Sequence, residues 1–148
     1  MTTNRKRRDP YTRTVVPLPE RDLAESILHL AAPLLEPLGP TPPPDETRRA
    51  LELAINLWNA HVTASPLWGD PRPKPLAELR KAMSGTQAPP GLADTFELLS
   101  ARWRKEFAFD PRLVGAWSFD ASEDGRHQLV CETTLPAGVE AHVPPPAE

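Results

Sequence analysis

The chain contains a single cysteine, Cys131, among its 148 residues. One cysteine excludes an intrachain disulfide and a zinc site built from cysteine thiolates. The stability of the fold must therefore come from packing. To act as a nucleophile, the thiol would need a base or a positive charge nearby. We expect instead that Cys131 behaves as a small apolar residue of the core.

Long apolar segments are missing as well. The longest apolar-leaning run, residues 27–35, is far shorter than the roughly 20 residues that span a bilayer. The basic start of the chain is followed by no apolar stretch, unlike a secretory signal. The sequence predicts a soluble cytoplasmic protein with no membrane partner.

The common catalytic and nucleotide-binding motifs are absent. The sequence has no GxSxG, GxxxxGK[ST], GxGxxG or HExxH pattern. We therefore predict no catalytic residue, no metal site and no cofactor. An unrecognised acid/base pair, such as Asp110 with Asp120, stays an alternative because sequence does not reveal which residues meet in space. The histidines lack metal-ligand spacing and are scattered along the chain: His29, His61, His127 and His142.

The segment from Phe119 to Leu129 contains alternating oxygen-bearing side chains before Gly125, as at the start of a calcium loop. An EF-hand loop beginning at Asp120 would require a bidentate glutamate at its twelfth position, which is Cys131 here. The flanking residues alternate with a period of two, which is typical of strands. The segment is therefore interpreted as the turn of a β-hairpin.

The register of this hairpin follows from its apolar positions, because the correct pairing places them on one face. Pairing Phe119 with Leu129 leaves the loop 123–125, which suits a type I turn closed by a left-handed glycine. The same register gives three further pairs: Trp117 with Cys131, Gly115 with Thr133, and Leu113 with Leu135. A lone hairpin is marginal in water, so its apolar face must pack on the helices or on another subunit.

Proline is abundant, and its 20 residues cluster between segments with helical periodicity. Apolar residues recur at three- and four-residue spacing and predict helices at about 20–38, 46–64, 75–84 and 92–107. Pro33 should bend or end the first helix near Ala32. Asp45 is the expected N-cap of the second helix.

The predicted fold class is α+β and mainly α. Three to four helices, joined by proline-rich linkers, would pack on a C-terminal two-stranded antiparallel β-hairpin at about 112–135. This single globular domain would cover residues 20–135. A disordered basic arm at 1–19 and a flexible proline-rich tail at 136–148 would flank it, because neither buries enough apolar surface to order itself.

The basic arm has a net positive charge, whereas the rest of the chain has a net negative charge. Residues 1–19 have a charge of +4, which leaves −7 for the rest of a chain whose formal net charge is −3. An acidic body binds polyanions poorly, so contact with nucleic acid would fall to the arm. Tyr11 offers one ring for stacking. The candidate phosphate-contacting residues are Arg5, Lys6, Arg7, Arg8 and Arg13.

Two features suggest a surface for another protein. On the second helix, Asn56, Asn59 and Thr63 form a polar stripe with Glu52, and all but Glu52 are uncharged. Such a stripe suits a partner surface, although a solvated helix face is the ordinary interpretation. Trp68 lies in a turn-rich connector, where its ring either folds back over the helices or contacts a partner.

For function, the sequence favours a non-enzymatic protein–protein interaction module, an adaptor or accessory subunit of a soluble bacterial-type protein. Its partner would be another protein, and a second copy of the chain is a further candidate. The first alternative is a nucleic-acid-associated accessory protein that contacts phosphates through the basic arm. The second is a small enzyme with unrecognised acid/base chemistry.

Overall fold

A computed structural model of the chain describes residues 14–17, 19, 21–40, 42–121 and 127–142. These residues form a mainly helical α+β structure with an antiparallel hairpin, as predicted. The helices are α1 (Leu23–Leu35), α2 (Pro44–Ala64), α3 (Lys74–Ser84) and α4 (Leu92–Glu106), with short 3-10 turns at Glu36–Leu38 and Pro66–Trp68. The strands are β1 (Thr14–Pro17), β2 (Leu113–Ala121), β3 (His127–Thr134) and β4 (Val139–His142).

One apolar core joins the helices to the hairpin. Trp58 of α2 is fully buried at its centre, with ring centroids 6.2 Å from Trp103 and 5.0 Å from Phe107. Phe119 and Leu129 bring the hairpin into the same cluster. The helical stripes read from the sequence are therefore the buried faces of α2 and α4.

The first helix does not end near Ala32, because α1 continues through Pro33 to Leu35. Proline lacks the N–H that would bond the carbonyl four residues earlier, here that of His29. Arg102 of α4 supplies the missing donors, and its Nε and Nη2 lie 3.1 and 2.9 Å from that carbonyl oxygen. The helix passes Pro33 unbroken because a distant side chain satisfies the released acceptor.

The helix starts follow local chemistry only in part. Asp22 caps α1 by accepting the Glu25 N–H at 2.7 Å. The prediction of Asp45 as the N-cap of α2 is wrong, since the helix begins two residues earlier than predicted, at Pro44, and Pro43 occupies the N-cap position. Proline suits a first helical position, where its missing N–H would have no partner in any case.

The hairpin register is confirmed near the turn and wrong at the far end. Trp117 pairs with Cys131, and Phe119 pairs with Leu129, as predicted. A bulge between Val114 and Trp117 then adds one residue to β2. On the far side of the bulge from the turn, Thr133 pairs with Val114 instead of the predicted Gly115. Leu113 pairs with Thr134 instead of the predicted Leu135. The bulge also turns Val114 into the core, where its side chain is 6 % exposed.

Two segments that the sequence assigned to flexible ends form strands. β1 pairs in parallel with β4, Thr14 lying opposite Val139 and Pro17 opposite His142. The Val139 side chain belongs to the core cluster. The predicted hairpin loop 123–125 lies outside the described residues, so its turn type stays a prediction.

A buried ion pair fixes the point where the hairpin leaves the helices. Arg112 donates to both carboxylate oxygens of Asp110, at 2.9 and 2.7 Å, and to the carbonyl of Arg21 at 3.0 Å. Its guanidinium also donates to the Ser26 hydroxyl at 3.2 Å, while its own carbonyl accepts the Trp58 indole N–H at 2.7 Å. The segment thereby ties β2 to α1 and α2.

Candidate functional site

Helix α2 runs along the outer edge of β2. Its Arg48 donates to the Phe119 carbonyl at 2.9 Å, while the Asn59 amide bonds the Val114 N–H and carbonyl at 2.8 and 2.9 Å. From Arg48 to Asn59 a helix rises about 16 Å, close to the span of the strand between the two bonded residues. The side chains of α2 therefore take the place of a neighbouring strand, with the Asn59 amide donating one hydrogen bond and accepting one.

The next face of α2 opens into a cleft against α3, which we call the α2–α3 cleft. Its volume is about 430 Å³, within the range of roughly 300–1,000 Å³ that is typical of ligand sites. The residues that line it are Asn56, Asn59, Ala60, Thr63, Pro75, Glu78 and Leu79.

The chemistry of the cleft combines a small apolar floor with a few polar groups. Ala60, Pro75 and Leu79 supply the apolar part. The Asn56 side chain is exposed, and neither it nor the Thr63 side chain is hydrogen-bonded to another described residue. The one formal charge in the lining is the carboxylate of Glu78, with the Lys74 ammonium 3.8 Å away in an exposed pair. Such a lining suits a short polar ligand with one apolar side chain and one positive charge.

The structure brings together three of the residues predicted for a partner surface. Asn56, Asn59 and Thr63 all line the α2–α3 cleft. Trp68 does not, since its side chain is 9 % exposed and packs in the core cluster, the folded-back arrangement. Its indole nitrogen is buried and has no hydrogen-bond partner among the described residues. The predicted phosphate-contacting arm, residues 5–13, lies outside the described residues.

Sequence reasoning missed the α3 half of the cleft. Pro75, Glu78 and Leu79 share one helix face through their spacing of three and four residues. That spacing was visible, but only the packing of α3 against α2 shows which way the face points. Leu79 itself is partly buried at the edge of the core.

A serine–histidine pair lies in the core between α2 and α4. His61 Nε2 is 2.9 Å from Ser100 Oγ, and the imidazole stacks on Trp103 at 4.9 Å between ring centroids. Burial above all, with the charges of Arg104 and Arg80, lowers the pKa of His61 to about 4. The imidazole is thus neutral at pH 7. Because Ser100 is fully buried, its hydroxyl has no room for a substrate, and the pair serves as a polar link between two helices.

Two other groups with shifted pKa values, Glu106 and Cys131, are distinct from the His61–Ser100 pair. His29 Nε2 lies 3.0 Å from Glu106 Oε1 at the surface, and this hydrogen bond lowers the pKa of Glu106. Cys131 is half-buried, and burial with the nearby charge of Asp22 raises the pKa of its thiol to about 11. The thiol is therefore protonated at neutral pH and a weak nucleophile.

Metal-binding clusters and membrane-spanning helices are both missing from the described residues. No group of three or more histidine, cysteine or acidic side chains is arranged to hold a metal ion in the described ranges. None of the helices there combines the length and apolar character that a bilayer crossing requires. The chain matches no known protein family, no curated protein and no solved structure.

Proposed function

We propose that the chain is a non-enzymatic protein-interaction module, an adaptor or accessory subunit, and that the α2–α3 cleft binds a short segment of its partner. The observation that supports this is the lining of the cleft. It unites Asn56 and Thr63, whose polar groups bond no described residue, with an apolar floor and a carboxylate.

A peptide segment fits this chemistry better than a compact charged ligand. Its backbone N–H and carbonyl groups can bond the Asn56 amide and the Thr63 hydroxyl, both of which donate and accept. One apolar side chain would cover Leu79, and a lysine or arginine would approach the Glu78 carboxylate. A phosphorylated or other anionic ligand would find no positive charge in the lining, whose one charged group is that carboxylate.

The groups most able to do chemistry support a binding role. The Ser100 hydroxyl is sealed in the core beside a neutral imidazole, and the Cys131 thiol is held protonated. Neither residue lines the cleft. Binding without turnover therefore accounts for the cleft without recruiting either group.

The test is selection of displayed random 12-residue peptides on the full-length protein, followed by affinity measurements on four proteins. Asn56→Arg adds bulk and positive charge at the cleft, whereas Ala101→Arg adds the same side chain at an exposed site on α4. Glu78→Gln removes the charge of the cleft. We expect selected peptides to bind the wild type and Ala101→Arg with equal affinity. Their affinity for Asn56→Arg should be lower by about tenfold or more.

Glu78→Gln adds a second readout. Peptides that carry lysine or arginine should lose affinity for this variant, while uncharged peptides should not. If the selected peptides bound all four proteins equally, or if no peptide were enriched, the cleft would not be the binding surface. Circular dichroism of each variant checks that the helices are intact.

A further inference from the structure

The direction of the backbone groups in β3 can be read from the contacts of β2. Successive residues of a strand point their N–H and carbonyl groups to opposite edges. The backbone groups of Val114 bond Asn59, and the Phe119 carbonyl bonds Arg48, so both residues point away from β3. Residues directly opposite each other in an antiparallel pair share this direction. The partners Thr133 and Leu129 therefore point their backbone groups away from β2. Cys131 lies between those two partners in the same phase. The outer edge of β3 thus presents the N–H and carbonyl groups of Leu129, Cys131 and Thr133.

This outer edge has no strand beside it in the described part of the chain. The sheet there consists of β2 and β3 alone, and no backbone or side-chain hydrogen bond from another described element reaches these three residues. The β2 edge is covered by α2, whereas the β3 edge is left open. β3 also lacks proline and lysine, the residues that commonly protect an exposed edge.

The packing of α1 decides what kind of strand can join this edge. α1 packs against β3, and its N-cap Asp22 lies near enough to Cys131 to raise the pKa of the thiol. Antiparallel pairing with β3 of a second copy would place a second α1 on the same face of the sheet beside the first, because adjacent strands lie only about 4.8 Å apart. Packed helices need about 8–10 Å between their axes. A strand that carries no helix of its own avoids this clash.

Charge specifies the side chains of that strand. The described hairpin side chains include two charged groups, Asp120 and Glu132, both acidic and both exposed on the outer face. Val130 is 51 % exposed between them. On the inner face, Leu129 is buried and Cys131 is partly buried against the core cluster, so apolar side chains of an added strand would suit this face.

We propose that β3 binds an extended peptide segment of another protein as a third strand of the hairpin sheet. The segment alternates apolar residues on the α1 side with basic residues on the outer face, which carries Asp120 and Glu132. This is a second surface, separate from the α2–α3 cleft, and it does not depend on the cleft being occupied. Strand addition of this kind takes its affinity from backbone hydrogen bonds and its specificity from alternate side chains.

The experiment selects random displayed peptides on full-length protein that carries Asn56→Arg, so that peptides of the cleft are not recovered. Thr133→Pro removes one outward N–H and leaves the β2 ladder intact, since proline is tolerated at an outward edge position. Thr133→Val is its control, because it keeps the N–H. We expect the selected peptides to alternate apolar and basic residues and to bind Thr133→Pro about tenfold more weakly than Thr133→Val.

Two further readouts keep the result interpretable if Thr133→Pro unfolds. Glu132→Lys should lower the affinity of basic peptides about tenfold. Bound peptide should slow amide hydrogen exchange at Cys131 and Thr133 but not at Val130, whose N–H points toward β2. Equal binding to all variants, or no enrichment on the Asn56→Arg protein, would overturn the proposal. A concentration-dependent dimer that Thr133→Pro abolishes would overturn it in favour of self-pairing. Each of these results is independent of whether the cleft binds peptides.

Discussion

At the scale of single residues, His61 shows how the core handles a polar side chain. Its imidazole is 5 % exposed, bonded to Ser100 and stacked on Trp103. A buried polar group is tolerated when its hydrogen bond is made, and a buried charge is not unless it is paired. The two charges that influence His61, Arg104 and Arg80, are both positive, so a proton on the ring has no favourable partner.

This arrangement predicts that stability falls in acid. The unfolded chain takes up a proton near the ordinary pKa of 6.5, whereas the folded pKa is about 4. Between those values the unfolded state binds more protons, so the free energy of unfolding decreases as pH falls from about 6.5 to about 4. We expect a loss of about 2 kcal/mol after allowance for partial solvent screening.

Denaturant unfolding at several pH values measures this effect, and His61→Gln is the control because it cannot titrate. The difference in stability between wild type and variant should change over the same pH range. The pKa of Glu106 is lowered from its ordinary value of 4.5, so its contribution is lost as pH falls below about that value; His61→Gln keeps Glu106, and the effect cancels in the difference. Parallel pH profiles for the two proteins would show that His61 is not the titrating group.

At the scale of elements, α1 depends on a side chain from another helix. Pro33 leaves the His29 carbonyl without its helical partner, and Arg102 donates to it twice. An unpaired, partly buried carbonyl costs about 1–3 kcal/mol. The same guanidinium also lies 3.5 Å from Glu106. One residue of α4 thus supports both the backbone of α1 and the surface cluster beside it.

A double-mutant cycle tests this dependence. Arg102→Met should destabilise the wild type by about 1–3 kcal/mol, because the His29 carbonyl loses its donors. In a Pro33→Ala background the loss should be smaller, since the substituted alanine would restore the helical N–H. The contact with Glu106 is removed in both backgrounds and cancels. Equal losses of unfolding free energy, measured by denaturant titration, would contradict the role assigned to Arg102.

The same elements show what the sequence could predict. The helices and the two hairpin strands were recognised because apolar spacing repeats locally, and the Trp117–Cys131 pairing followed from matching apolar faces, whereas β1 and β4 were missed. The passage of α1 through Pro33 depends on Arg102, which lies 69 positions further along the chain (102 − 33), beyond any local pattern. The bulge at Gly115 was missed for a related reason, since only the packing of Val114 into the core reveals it.

The candidate site was predictable to a similar extent. Asn56 and Thr63 could be placed on one polar stripe of a helix from their spacing alone. Their pairing with Glu78 depends on how α3 packs against α2, which the spacing does not encode. Asn59 belongs to the same stripe, yet it serves the edge of β2 as well as the cleft.

At the scale of the whole molecule, the core is continuous from the helices to the sheet. The cluster of buried residues includes members of every helix from α1 to α4, with Phe119 and Leu129 from the hairpin and Val139 from β4. The Asp110–Arg112 pair adds hydrogen bonds between the start of β2 and the first helix, through the Arg21 carbonyl and the Ser26 hydroxyl. A hairpin that shares its core in this way should unfold together with the helices.

Trp117→Ala tests that cooperativity. Trp117 packs against the core cluster from β2, opposite Cys131, and is partly buried. Its truncation should cost about 2–3 kcal/mol, somewhat less than a fully buried tryptophan, and lower the melting temperature by roughly 5–10 °C. Val130→Ala, on the exposed face of β3, should change stability by less than about 0.5 kcal/mol.

The far-ultraviolet circular dichroism signal of the helices is the measurement, because it reports elements that the substitution does not touch. If this signal melted at the wild-type temperature in Trp117→Ala, the hairpin would be an independent unit rather than part of one cooperative core.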